Sequence, residues 1–112
     1  MIEYKVEVHS NGSKYWLLDG EFHREDGPAI EHANGDKFWC IEGNYHREDG
    51  PAVMTIEGDK HWYIDGKYHR EDGPAIEWAT GDKEWYLDGE EYIEKEFNKK
   101  MSPVKDMTVA EI

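Results

Sequence analysis

The heptapeptide His-Arg-Glu-Asp-Gly-Pro-Ala stands three times in this chain, at His23 to Ala29, His46 to Ala52 and His69 to Ala75. Each copy lies 23 residues from the last, and its surroundings repeat with it. Ahead of the loops come Lys14, Trp16, Asp19 and Gly20, then Lys37, Trp39, Glu42 and Gly43, then Lys60, Trp62, Asp65 and Gly66. A fourth copy starts on schedule with Gly81, Asp82, Lys83, Trp85, Asp88 and Gly89, and then breaks off at Glu91-Tyr92-Ile93-Glu94. A fixed period of this length means one supersecondary unit stacked on copies of itself, each burying its apolar face against its neighbours.

The unit reads as β-structure. Trp16 and Leu18, Trp39 and Ile41, Trp62 and Ile64, and Trp85 and Leu87 are spaced two apart, as residues on one face of a strand are. These constant pairs are expected to mark the buried face. The variable residues between them, such as Tyr63 and Tyr86, are expected to look toward solvent or a partner, while Cys40, at the position of Leu17, Tyr63 and Tyr86, is expected to be a packing residue. The acidic-Gly pairs predict tight turns with positive φ. Pro28, Pro51 and Pro74 can begin return strands over 29–33, 52–56 and 75–79, because an edge or first position tolerates a missing N–H. Tyr4, Val6 and Val8 alternate with charges and predict a half-buried leading strand.

The organisation that follows is a repeat domain over 1–101. It comprises an N-terminal strand (1–11), units at 12–34, 35–57 and 58–80, a partial unit (81–89) and a capping helix (90–101). The helix rests on the four-residue spacing of Ile93, Phe97 and Met101. A tail, 102–112, holds helix-start signals at Ser102-Pro103 and at Thr108 with Glu111, yet the chain stops at Ile112, as a truncation or a tail that orders on contact would. The fold class expected is mainly β: an elongated, single-layer antiparallel β-meander of 23-residue hairpin repeats, one hairpin per unit, with a short C-terminal helix.

Composition bounds the partners. A net charge of −13 spread evenly over the units repels phosphates and anionic lipid, so neither nucleic acid nor membrane is expected as a partner. A protein with a basic surface fits better. Low hydrophobicity, 38%, would suggest disorder were it not for five Trp, seven Tyr and three Phe, which can form a thin aromatic core. Cys40 is the single cysteine, which with the absence of an apolar leader or span points to a cytoplasmic setting, the host's if the chain is viral.

The repeated loop carries His23, Arg24 and Asp26, His46, Arg47 and Asp49, and His69, Arg70 and Asp72. Equivalent side chains in successive units stand two strands apart, roughly 9–10 Å, too far for a metal with ligands at about 2 Å. No catalytic residue, metal or cofactor is therefore expected, and the chain reads as a non-enzyme. The Asp residues are expected in Asx-type turns, and the Arg residues in ion pairs to adjacent loops. The His rings are expected to pack by Trp and Tyr with one nitrogen bonded to backbone. The better contact patch is the aromatic outer face around Tyr15, Phe38, Tyr63, Trp78 and Tyr86, because buried aromatics dominate interface energetics. Acid around that patch would steer a basic partner.

The units resemble the MORN repeat, also 23 residues long, with Trp62 to Gly66 and His69 falling near that family's Trp, Gly and His-Gly. They depart from it where the bulkier Arg-Glu-Asp-Gly-Pro replaces a small Gly-x-Gly. The phrase His-Arg-Glu-Asp-Gly-Pro-Ala after a Trp-containing strand resembles repeat proteins of bacteriophages and giant viruses more closely. That resemblance, over residues 12–89, implies a hairpin array that binds, scaffolds or dimerises. Its concrete form is a phage-type inhibitor of a host defence or nucleic-acid-processing protein. Two alternatives belong to other classes: a nucleotide sponge gripping phosphate through Arg24, Arg47 and Arg70, and a self-associating homo-oligomeric scaffold.

Overall fold

The computed structural model describes residues 3–102. Fourteen short strands and one helix follow one another in an antiparallel array that measures 64 × 38 × 19 Å, an elongated plate. The leading strand β1 (Tyr4–Val8) pairs with β2 (Lys14–Leu18). Within the first unit, β2 pairs with the short β3 (Glu21–Phe22) and with the return strand β4 (Ile30–Glu31). The same triplet recurs with the Trp strand split in two. It gives β5 (Lys37–Phe38), β6 (Cys40–Ile41), β7 (Asn44–Tyr45) and β8 (Val53–Met54), then β9 (Lys60–His61), β10 (Tyr63–Ile64), β11 (Lys67–Tyr68) and β12 (Ile76–Glu77). The last unit closes with β13 (Lys83–Leu87) and β14 (Glu90–Tyr92). The main sheet runs β1-β2-β4-β5-β8-β9-β12-β13-β14, so equivalent strands lie two apart, as the spacing requires.

Each unit therefore holds two hairpins sharing one strand, where the sequence pattern suggests one. The cause is the acidic-Gly turn. Asp19, Glu42, Asp65 and Asp88 have φ near +50°, and the glycines after them near +80°. Positive φ at both central residues makes a two-residue turn whose twist matches its flanking strands, so the chain must return at once as β3, β7 or β11. The Trp is the branch point. Trp39 N–H donates to the Ala52 carbonyl on one side while its own carbonyl accepts from His46 N–H on the other; Trp16 and Trp62 repeat this with Ala29 and His23, and with Ala75 and His69.

Successive units are stitched by backbone bonds. Arg24, Arg47 and Arg70 N–H groups donate to the carbonyls of Cys40, Tyr63 and Tyr86, and Gly43, Gly66 and Gly89 donate back to Phe22, Tyr45 and Tyr68. The core is correspondingly thin. Its most buried members are the loop-terminal Ala29, Ala52 and Ala75, each 0% exposed, with Ile30, Val53 and Ile76 beside them. The backbone of each alanine is bonded to both neighbouring strands, Ala52 to Trp39 and His61 for example. Cys40, expected to pack although it stands on the face of the variable residues, is 1% exposed among Ala29, Ile30, Tyr15 and Phe38. Both faces of the single layer are half-buried, because side chains on one thin sheet cover one another.

The ends differ from expectation. Tyr4, Val6 and Val8, expected on the buried side of a half-buried strand, are 50%, 50% and 67% exposed. Among the described residues no arginine is laid over this strand as one is over Trp16, Trp39 and Trp62, and Tyr4 meets the His23 ring at 6.0 Å. At the other end the helix α1 spans Glu94–Met101, and the residues before it, Glu90–Tyr92, are strand. Phe97 is its one buried residue, packed where α1 meets β13 and β14. Ile93 stands exposed at the N-cap position. Glu94 and Glu96 in the first turn, and Lys99 and Lys100 in the last, complement the helix dipole. Of the tail 102–112, all but Ser102 lies outside the described residues.

Candidate functional site

The three loops adopt one geometry. Arg24, Arg47 and Arg70 each lay the guanidinium over Trp16, Trp39 and Trp62, 3.9 Å from the ring centroid. Nε donates to the carboxylate two residues on, Asp26, Asp49 or Asp72, at 3.1, 3.0 and 2.9 Å. Nη1 donates to the carbonyl of Pro28, Pro51 or Pro74 at 3.0–3.1 Å. The Arg thus pairs within its own loop, not with the next loop. The Asp is drawn to the guanidinium, a charge-assisted bond stronger than the Asx contact expected of it. The loop glycine completes the sandwich: a Cβ on Gly27, Gly50 or Gly73 would lie 2.9 Å from the guanidinium carbon.

The histidines bind unit to unit. Backbone N–H groups of Glu42, Asp65 and Asp88 each donate at 3.0 Å to Nδ1 of His23, His46 and His69. This is the backbone bond anticipated for one ring nitrogen. With Nδ1 accepting, the neutral ring carries its proton on Nε2, which lies 3.0–3.2 Å from Glu25, Glu48 and Glu71 and donates to them. His and Arg together therefore hold the Glu and Asp of each loop by one oxygen. These six carboxylates remain 68–89% exposed.

Between consecutive loops lie two grooves of about 800 and 810 Å³. The first is floored by Trp39 and Ile41 and walled by the loops at 24–28 and 46–49. The second is floored by Trp62 and Ile64 and walled by 47–50 and 69–72, with Asp88 at its rim. Five carboxylates face two guanidiniums in the second groove, and four face two in the first. The loop at 47–49 is the wall common to both. Its Arg47 also differs from the others: Arg24 and Arg70 reach a second carboxylate, Glu31 at 3.5 Å and Glu77 at 3.0 Å, whereas Arg47 meets the Met54 sulfur at 3.9 Å.

The aromatic residues singled out from the sequence lie on the opposite face. Register pairs Tyr15 and Phe38 with Ile30, and Tyr63 with Tyr68, away from the Trp side chains. Their rings form one continuous row. Tyr15 meets His32 at 6.1 Å, His32 meets Phe38 at 5.3 Å, and Phe38 meets Tyr45 at 5.6 Å. Tyr45 then meets Tyr63 at 5.2 Å, Tyr63 meets Tyr68 at 4.4 Å, and Tyr68 meets Tyr86 at 4.9 Å. Burial, and then the hydrogen bond with Tyr68, push the Tyr63 phenol well above its ordinary range. Trp78, 37% exposed, stands edge-on to His61 at 5.1 Å, and its indole N–H donates to Glu84 at 2.6 Å. The His61 Nδ1 is buried without a hydrogen-bond partner, and burial lowers that ring's pKa. The structure thus places the ring row and the acidic loops on opposite faces, with Glu84 the carboxylate bonded to Trp78 and Tyr86 at the end of the row.

A further set of joints is carried by Ser13, Asp36 and Asp59. Their side-chain oxygens accept from the N–H groups of Ala33, Ile56 and Ala79, each 20 residues on, at 2.7–2.9 Å. The signal was present in the sequence as an acceptor after each turn glycine, at Ser13, Asp36, Asp59 and Asp82.

Comparison with protein-family models, with curated proteins and with solved structures finds no match to this chain. Among the described residues no helix is long and apolar enough to cross a membrane.

Proposed function

We propose that the chain is a non-catalytic binding module whose Trp face takes a protein with a basic surface. The resemblance to viral repeat proteins makes a host protein, blocked by occupancy of that surface, the form this takes. The observation that carries the reading is the pair of equivalent grooves. Each has an apolar floor and a rim of carboxylates held by His and Arg yet open to solvent. Floors of Trp and Ile offer cationic side chains an aromatic surface for their stems, while pre-positioned carboxylates meet the charged ends with little ordering cost.

The test is capture from bacterial lysate with three baits: wild type, Glu48→Lys combined with Glu71→Lys, and Tyr63→Ala. The reading expects a near-stoichiometric protein on wild type that weakens with salt, is lost from the charge-reversed bait and stays on Tyr63→Ala. Loss on Tyr63→Ala alone would move the contact to the ring row. A retained nucleotide with no protein would overturn the reading.

A further inference from the structure

The strand β1 is bonded on one side only. His9 N–H donates to the Ser13 carbonyl, which fixes the phase of the ladder: Lys5, Glu7 and His9 direct their backbone groups to β2. The N–H and C=O groups of Tyr4, Val6 and Val8 therefore point to the open edge, where no strand pairs with them among the described residues. Their side chains share the Trp face and are 50%, 50% and 67% exposed. Edges of this kind are normally blunted by Pro, a bulge, inward charge or a covering element. Among the described residues β1 is five regular residues with no Pro, bulge or covering element, its charges Lys5 and Glu7 paired with each other, while at the far end α1 packs against β14.

We infer that the occupant of this edge is a second copy of the chain, joined β1 to β1 antiparallel about a twofold axis at Val6. The sequence of β1 is its own complement. With Val6 opposite Val6, Tyr4 faces Val8 of the other copy, and Lys5 faces Glu7 in both directions. Lys5 and Glu7 already meet within one strand at 3.4 Å, so their side chains share a face, and the same charges can cross the axis. The backbone phase agrees with this register. Val6 and the Tyr4–Val8 pairs become hydrogen-bonded positions, for about six bonds in all, and Lys5 opposite Glu7 becomes the close non-bonded pair. Because the two ends of the array differ, the contact closes as a dimer rather than growing into a fibre. A contact one strand wide is small, so association is expected with a dissociation constant of roughly 10–500 μM.

The experiment is sedimentation velocity of the full chain from about 5 μM to 1 mM, a span that brackets this range. Wild type should shift from monomer to dimer. Lys5→Glu alone and Glu7→Lys alone should each stay monomeric, since each sets like charges opposite one another. Mixed together they should form a heterodimer, because every cross-strand pair is then opposite in sign. Amide exchange gives a reading independent of any variant: Tyr4, Val6 and Val8 should gain protection as concentration rises, while Lys5 and Glu7 are protected throughout. Wild type that stays monomeric, or single variants that still dimerise, would overturn the inference. So would a chain ending at Ser102 that loses association, since that result assigns the contact to the C-terminal tail.

Discussion

Replacing Arg47 by Ala removes its contacts with Trp39, Pro51, Asp49 and the Met54 sulfur, and the first three can be weighed. The guanidinium 3.9 Å over Trp39 contributes about 0.5–2 kcal/mol at a partly buried site. Its bond to the Pro51 carbonyl is a charged hydrogen bond, about 1.5 kcal/mol. The pair with Asp49, whose carboxylate is largely exposed, adds about 0–1 kcal/mol. Added together these give an expected loss of about 2–4.5 kcal/mol, a large part of the stability of a domain this small. Urea denaturation followed by far-ultraviolet circular dichroism measures it. Two controls separate the causes. Arg47→Lys keeps the charge without the planar fork and should restore no more than about 1 kcal/mol. Gly50→Ala keeps the Arg but sets a Cβ 2.9 Å from its guanidinium carbon, so it should lift the ring stack and cost about 1 kcal/mol. Arg24→Ala and Arg70→Ala should cost somewhat more than Arg47→Ala, because each also loses a second carboxylate that is mostly buried, Glu31 or Glu77. If Arg47→Ala cost under about 0.5 kcal/mol, or Lys matched Arg, the sandwich would not hold the loop and the reasoning would fail.

Burial pushes the Cys40 thiol up to about 11, from an ordinary 9.0. The native protein should resist thiol reagents at pH 8 and react once unfolded in urea. Because the folded value is the higher, the stabilisation is complete below about pH 9 and fades as pH rises toward 11; Cys40→Ala should flatten the first part of that loss, before the raised tyrosines Tyr45, Tyr63 and Tyr86 titrate. His46→Phe removes the acceptor of the Asp65 N–H and should cost about 1–2 kcal/mol, with faster amide exchange at Asp65. Burial holds His61 neutral with a lowered pKa, so its contribution is present above about pH 6.5 and is lost as pH falls through the folded value. His61→Phe should flatten the acid limb of a stability-versus-pH curve, and an unchanged limb would refute that role.

The period, the strand faces and the positive-φ turns were legible because each is a local rule repeated four times. The second hairpin was not read, since β3, β7 and β11 are two residues long and leave no alternation to see. Cys40 was legible as a packing residue, but what covers it was not: alternation assigns a face, whereas in a one-layer sheet burial depends on which neighbouring side chain reaches across. Here Tyr15, Phe38 and Ala29 do. The Arg contacts were placed in the wrong loop because sequence gives charges without reach, and the Trp beneath each guanidinium decides where it lies. The openness of β1 was hidden for the opposite reason: its alternation is perfect, and it stands open because none of the described residues pairs with its outer edge.

The constant residues of the loop each hold the array together. Arg lies on Trp, Gly leaves room beneath Arg, His accepts from the next unit's backbone, and Ala fits between strands. Copy-to-copy identity is thus accounted for without a ligand, and recognition is left to what the identical parts present together. The central loop stands out in that respect. Arg47, Glu48 and Asp49 line both grooves, whereas Glu25 lines only the first and Glu71 only the second. A partner spanning both grooves should therefore lose most on Glu48→Lys, about tenfold in affinity, and less on Glu25→Lys or Glu71→Lys. Titration calorimetry with the captured partner ranks the three. Equal loss from Glu48→Lys and one outer reversal, with none from the other, would mean that a single groove is used.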